Sequence, residues 1–430
     1  MPTRRTFLAA AGFTGLASAT FRGDALARAA GADRDAGACK PPDLATNEDY
    51  WSEIGRAFDN DRSVINFNNG GVAPAPTHVL EQMIRDLRFT NESPAKHMWQ
   101  ILEPRVESVR RDLAREFGCD PEEIAITRNA SEAMETLILG IDMSAGDEVI
   151  ITDQNYGRMV TTWEQRARRE RIIVKKISFP IPLASSSVLV DRIRQAITPR
   201  TRVIELPHIT NLSGQILPIC DVVRLGKERG IEVFVDGAHA FAHFPFLRDE
   251  LGCDYYGCSL HKWLLAPIGT GFLYVRKAKQ KSIWPLMAAA ASQDNDIRKY
   301  EEIGTHPAAN HNAIVAALAF HRSIGADRKI ARLRYLRERW TGPLLATGPR
   351  VKVWTPRGDD PAGGAIGLVQ IEGIDSAKLV DYLWDKQRIV TIAIKHDQFE
   401  GIRVTPNVYT TLGEVDVFVD AMKRALAHGV

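Results

Sequence analysis

From Glu122 onward, short apolar runs alternate with longer stretches of helical spacing. The runs EIAIT (123–127), DEVIIT (147–152), RIIVKKISF (171–179), TRVIELPHI (201–209) and IEVFVD (231–236) predict strands, as do DYYGCSL (254–260) and GTGFLYVR (269–276). Between them, 131–140, 159–171, 188–197 and 222–229 repeat their apolar residues at the period of a helix. Strands alternating with helices predict an α/β fold whose mostly parallel sheet is covered on both faces. Ligands of such sheets bind beyond the carboxyl ends of the strands. After Arg276 the pattern changes. Two helical stretches, 308–324 and 327–340, precede a loop (356–365), a strand (365–373), a helix (376–386), strands 389–395 and 401–406, and a last helix (414–427). This reads as a smaller α+β unit. The expected organisation is a leader over 1–30, a linker and arm over 31–64, a large domain over 65–310 and a small domain over 311–430.

The leader expectation rests on MPTRRTFLAAAGFTGLASAT. Arg4 and Arg5 stand just before an apolar stretch from Phe7 to Ala19, and small residues would permit cleavage after Ala19, Ala27 or Ala29. T-R-R-x-F-L resembles the twin-arginine export signal. The stretch is short for a bilayer core of ~30 Å, so a stable membrane anchor ranks second. The resulting expectation is a periplasmic protein handled folded by the twin-arginine machinery.

Composition narrows the picture. The 430 residues are 45% hydrophobic and 25% charged, an ordinary globular mixture. Lys and Arg total 55 against 53 Asp and Glu, for a formal charge of +2. That balance argues against nucleic acid as a partner, and the basic stretch 164–176 reads as a solvated helix face. The five cysteines form no C-x-x-C and show no metal-ligand spacing with histidines, so no metal site is expected.

Three features at strand ends carry candidate chemistry. In TRNASEAMETL (127–137), Asn129 can cap a helix, with Glu132 at the spacing of a capping box. The N–H groups of Ala130 and Ser131 would then form an anion site, although a capped helix can equally bind nothing. In VFVDGAHA (233–240), Asp236 ends an apolar strand. A carboxylate there is either paired in the interior or exposed in a turn. In CSLHKWLLAPIGTG (258–271), Lys262 lies among Leu260, Trp263, Leu264 and Leu265. Such surroundings lower a lysine's pKa and make its amine nucleophilic; the alternative is a surface lysine lying along apolar neighbours. An anion cradle, a buried acid and a nucleophilic lysine together meet the needs of pyridoxal 5′-phosphate.

With D-G-A-H followed by S-L-H-K-W, the chain resembles the class V aminotransferases of fold type I, within them the isopenicillin-N-epimerase-like branch. The likeness runs from about Ile65 to the C-terminus. It implies a large domain with a mostly parallel seven-stranded sheet sandwiched by helices, plus a smaller C-terminal α+β domain. It also implies that Lys262 holds the cofactor covalently and that Asp236 pairs its ring nitrogen. Ala130, Ser131, Ser259 and His261 would bind its phosphate, Tyr156 would stack on its ring, and Asn211 and His239 would lie near its phenolic oxygen. Gly304 and Thr305, in EEIGTHPAA, would reach the phosphate of a neighbouring subunit, which implies a homodimer. Arg403 would grip a substrate carboxylate, and Asn68, in FNNGG, would line the substrate side. No cysteine follows Cys258, so the acceptor of the related cysteine desulfurases is missing. Joined to the twin-arginine signal, this site resembles the exported branch that tailors the siderophore pyoverdine. The expected activity is transfer or removal of an amino group on an amino acid, or on a glutamate-like group of a peptide or siderophore. The alternatives are an epimerase, racemase or lyase of the same site, or a ligand-binding protein without catalysis.

Overall fold

The computed structural model describes residues 40–358 and 360–430; the expected leader lies outside the described residues. Thirteen strands are described: β1 (Ile65–Asn66), β2 (Ile124–Thr127), β3 (Glu148–Thr152), β4 (Ile173–Ile177), β5 (Thr201–Pro207), β6 (Glu232–Asp236), β7 (Tyr255–Ser259), β8 (Gly271–Val275), β9 (Val351–Val353), β10 (Gly367–Ile371), β11 (Ile389–Val390), β12 (Ile392–Lys395) and β13 (Glu400–Val404). The seven-stranded sheet has the order β2-β8-β7-β6-β5-β3-β4. Its pairs are parallel from β7 to β4, and β8 alone runs against its two neighbours. Strands β2, β3, β7 and β8 are buried at every position, as the continuous apolar runs require of a sheet covered on both faces.

The crossover helices fall near their expected places, at Ala130–Gly140, Gly157–Glu170, Ser186–Ala196 and Ile219–Arg229. One correction concerns the stretch expected as a helix over 308–324. It is divided into Ala308–Asn312 and Ile314–Ile324. The expected strand over 389–395 is likewise two, because Thr391 separates β11, which pairs with β1, from β12, which pairs with β13.

The segment before Glu122 holds helices that the alternation did not reveal. Thr77–Glu92 and Glu103–Phe117 are amphipathic; Val106, Val109, Leu113 and Phe117 are buried at helical spacing. Gly118 ends the second helix at φ +79. Trp51 and Ile54 of helix Glu48–Gly55 pack in one cluster with Phe320, Leu333 and Tyr409.

The second sheet, β12-β13-β10-β9, is antiparallel throughout. Helices Ala326–Leu345, Ser376–Gln387 and Leu412–His428 share its apolar cluster, with Leu336, Leu383 and Phe418 at the centre. Strand β1 pairs in parallel with β11, and Asn68 bridges to Thr405. The segment before the large sheet is thereby tied to the end of the chain.

Candidate active site

A cavity of about 580 Å³ opens at the carboxyl ends of the central strands. Its walls include Ala130, Ser131, Tyr156, Asn211, Asp236, His239, Ser259, His261 and Lys262. Nine of the expected site residues, drawn from five separate segments, therefore meet in one place.

Asn129 caps helix Ala130–Gly140 by accepting the Glu132 N–H at 2.9 Å. The return half of the expected capping box is displaced by one residue. The Glu132 carboxylate takes the main-chain N–H of Arg128 and grips the Arg128 guanidinium through both oxygens. This leaves the helix N-terminus facing the cavity with Ser131 beside it. Ser259, at the end of β7, accepts the Ala130 N–H at 2.9 Å, which ties the lysine-bearing segment to the cradle. His261 Nδ1 lies 3.3 Å from the Thr270 carbonyl, and burial lowers its pKa to about 4. Its neutral ring donates from Nδ1, so Nε2 is free to accept.

Asp236 ends β6 in register with Pro207 and Gly257. It is 6% exposed and accepts the Ala238 N–H at 2.9 Å. Burial raises its pKa, while that hydrogen bond and the Lys262 charge act the other way. Gly237 follows because a Cβ there would fall 2.0 Å from the Tyr256 ring. Beneath Asp236, Glu205 on β5 is fully buried; it accepts from Trp163 Nε1 and from Asn155 Nδ2. Burial and the Asp236 charge push its carboxyl up to about 8. Sequence reasoning passed over Glu205, yet a charged residue inside the apolar run TRVIELPHI was a visible signal.

Lys262 Nζ stands 3.0 Å from His239 Nε2. Trp263 Nε1 donates to His239 Nδ1 at 3.4 Å, so a neutral His239 carries its proton on Nε2 and offers it to the lysine. That arrangement requires a neutral amine. Burial lowers the Lys262 pKa to about 8, with Asp236 opposing the shift and Arg403 adding to it. His239 lies well below the usual histidine value, chiefly through burial.

Arg403, on β13, is 5% exposed and has no carboxylate partner among the described residues. Nη1 donates to the Asn211 carbonyl at 2.9 Å and Nη2 to Asn68 Oδ1 at 2.8 Å; Nε is buried without an acceptor. Burial brings its pKa down to about 10. Neither Arg403 nor Asn68 is itself part of the cavity wall, where Gly71 of the Asn68 segment stands; Asn68 acts by holding the arginine. Gly304 and Thr305 do not join this cavity within one chain. They line another, with Trp99, Arg110, Glu301 and His306. The rim residues Arg128, Glu135, Arg158 and Leu286 went unrecognised, because nothing in their local sequence marks a cavity mouth.

The family model for class-V aminotransferases matches residues 65–406. The chain belongs to the class-V aminotransferase family. Among curated relatives it is 27% identical to the isopenicillin N epimerase of Streptomyces clavuligerus, over 86% of this chain and 97% of that one. It is 28% identical to the isopenicillin N epimerase of Amycolatopsis lactamdurans, over 87% and 98%. Among solved structures, a cysteine desulfurase of Escherichia coli superposes with a TM-score of 0.76 at 22% identity, covering 88% of this chain and 98% of that one. The fold is the fold type I α/β architecture.

Pyridoxal 5′-phosphate fits this family member's cavity. A helix N-terminus and the Ser259 hydroxyl suit a phosphate, a buried Asp236 suits a protonated ring nitrogen, and Lys262 is a half-buried amine whose pKa is lowered to about 8.

Proposed function

We propose that the protein is a pyridoxal-phosphate enzyme that moves a proton at the α-carbon of an amino-acid-type substrate, with inversion at that carbon as the outcome. Amino-group transfer, the first expectation from sequence, has less support, because two relatives matched almost end to end, over 97% and 98% of their own length, are isopenicillin N epimerases. The observation that carries the reading is Arg403. This buried guanidinium has no carboxylate partner among the described residues, lies just behind the cavity wall and is close enough to Lys262 to lower its pKa, which supports a substrate carboxylate as its counter-charge.

When bound, the cofactor supplies an electron sink for the α-carbon. Ser131 and the Ser259 hydroxyl, itself fixed by the Ala130 N–H, would hold its phosphate at the helix N-terminus with His261 beside them, and Asp236 would keep its ring nitrogen protonated. Arg403 orients the substrate carboxylate, braced by Asn68 and Asn211. Lys262 then removes the α-proton as a near-neutral amine, with His239 holding its Nζ. Inversion needs a second proton donor. Tyr156, 43% exposed and in the same cavity wall, is the residue we assign to it.

The finer reading adds a peptide or siderophore substrate, export by the twin-arginine route and a homodimer. The charged rim of Arg128, Glu135 and Arg158 supports a substrate larger than a free amino acid. Arg4 and Arg5 before the apolar run support export and a periplasmic location. Exposed Trp99, Ile268, Trp284 and Met287 support a covered face between two copies. The deciding experiment incubates the cofactor-loaded enzyme with a peptide joined through the side chain of an L-glutamate-like residue, whose α-amino and α-carboxylate groups are both free, in deuterium oxide, followed by proton NMR and chiral analysis. Inversion with α-deuteration and no oxo acid supports the reading; an oxo acid in step with amino transfer, or release of ammonia, overturns it.

A further inference from the structure

A second lysine is buried behind the cavity. Lys329 lies in the first turn of helix Ala326–Leu345 and is 1% exposed. Its ammonium has no carboxylate partner among the described residues, and burial alone accounts for its lowered pKa of about 7. The position is doubly unfavourable for a cation, since a helix N-terminus is itself the positive end of the dipole. A methionine would fill the same space without either cost. What a methionine cannot do is reproduce the bond that Lys329 makes: Nζ donates to the main-chain carbonyl of Trp263, the residue next to Lys262.

That carbonyl sits in a segment needing an anchor. Leu265, three residues beyond Lys262, adopts φ +66, a left-handed conformation that a branched side chain rarely takes. The Trp263 ring stacks on His243 at 3.8 Å between centroids and donates to His239, which in turn meets Lys262 Nζ. His243 is locked from both sides, Nδ1 donating to the His239 carbonyl at 2.8 Å and Nε2 accepting the Ala365 N–H at 2.7 Å. The titratable groups facing Lys329 are His243, on the turn after β6, and His321, on helix Ile314–Ile324. Burial holds both neutral, with the Lys329 charge adding to the effect.

We propose that Lys329 is a positioning residue that sets the orientation and reactivity of Lys262 through the main chain of Trp263. This inference rests on the reading of Lys262 as the cofactor-bearing lysine, but its first test does not need the cofactor. The cofactor-free protein and its Lys329→Met variant are labelled with a small amine-reactive ester across a pH series, and the Lys262 peptide is quantified by mass spectrometry. The expected result is a Lys262 midpoint raised by about half a unit or more, toward that of an ordinary lysine, as the loosened segment admits water. Lys329→Gln, one atom shorter but still a donor, falls between the two and keeps the test open should the methionine variant fold poorly. In the loaded enzyme the same variants shift the pH titration of the bound cofactor's absorbance and lower kcat several-fold with KM little changed. Superimposable Lys262 labelling curves for folded wild type and variants would overturn the proposal. Absence of any cofactor absorbance in the wild type would overturn the proposed function instead, while the labelling still decides the role of Lys329.

Discussion

The two halves of the cavity are built in opposite ways. The half toward the large sheet comes from strand ends and the turns that follow them: Asn129–Ser131 after β2, Asp236–His239 after β6 and Ser259–Lys262 after β7. Each is a short, contiguous motif on a buried scaffold. The half that carries Arg403 lies beside the cavity and is assembled from Asn68, Asn211 and β13, segments separated by more than a hundred residues; the Asn68 segment is tied to the end of β13 through Phe67, Gly70 and Thr405, and Asn211 joins through its carbonyl on the guanidinium. The first half therefore behaves as a preset cradle, whereas in the second the chemistry depends on one guanidinium held by long-range contacts.

This contrast orders the expected effects. Lys262→Ala removes the only lysine amine in the cavity wall among the described residues and is expected to abolish turnover, a loss of at least ~10³-fold, together with the visible absorbance of the bound cofactor. A variant that keeps the wild-type spectrum after dialysis would break the assignment of the first half. Asp236→Asn is expected to lower kcat by roughly 10²-fold or more while cofactor binding persists, because a neutral amide cannot hold a protonated ring nitrogen. Stopped-flow turnover beside a binding titration checks it. Arg403→Lys touches only the second half. Its KM for a carboxylate-bearing substrate is expected to rise about 10-fold, near 1.4 kcal/mol, with the cofactor spectrum unchanged. A spectral change in that variant would show that the halves are not separable.

Two pH effects sharpen the comparison further. Burial leaves Lys262 near 8. Below that value the neutral amine falls tenfold per unit, so the rate of cofactor association should fall in step as pH is lowered. The smallest effect concerns Glu205, whose folded-state pKa of about 8 lies above that of an unfolded glutamate. The folded state binds the extra proton, so this group's stabilising contribution is complete below the unfolded value and is lost as pH rises toward and through 8. The melting temperature of Glu205→Gln relative to wild type should accordingly rise between pH 5 and 8; a constant difference would show that Glu205 does not titrate in that window.

The same contrast explains what could be read from the chain. Strand–helix alternation from Glu122 onward is a local signal, and the sheet, its helices and the motifs at its strand ends followed from it. Helix Thr77–Glu92 and β1 were not legible, since the first buries little along its length and the second is two residues whose partner, β11, lies at the other end of the chain. Asp236 and Lys262 stood out because polar residues in apolar runs are costly to bury. Lys329 did not, because helix Ala326–Leu345 is rich in basic residues and only tertiary packing shows which of them is inside. Arg403 came through resemblance; its bracing by Asn68 and the Asn211 carbonyl became visible only with the fold.

The central claim is that one lysine, Lys262, holds the cofactor in a cradle set by the large sheet. It is tested most directly by loading the protein with pyridoxal 5′-phosphate, reducing with borohydride, and mapping the modified peptide by mass spectrometry. The expected result is a single adduct on Lys262, absent from Lys262→Ala. An adduct on Lys329 or on surface lysines alone, or none at all, would contradict the account.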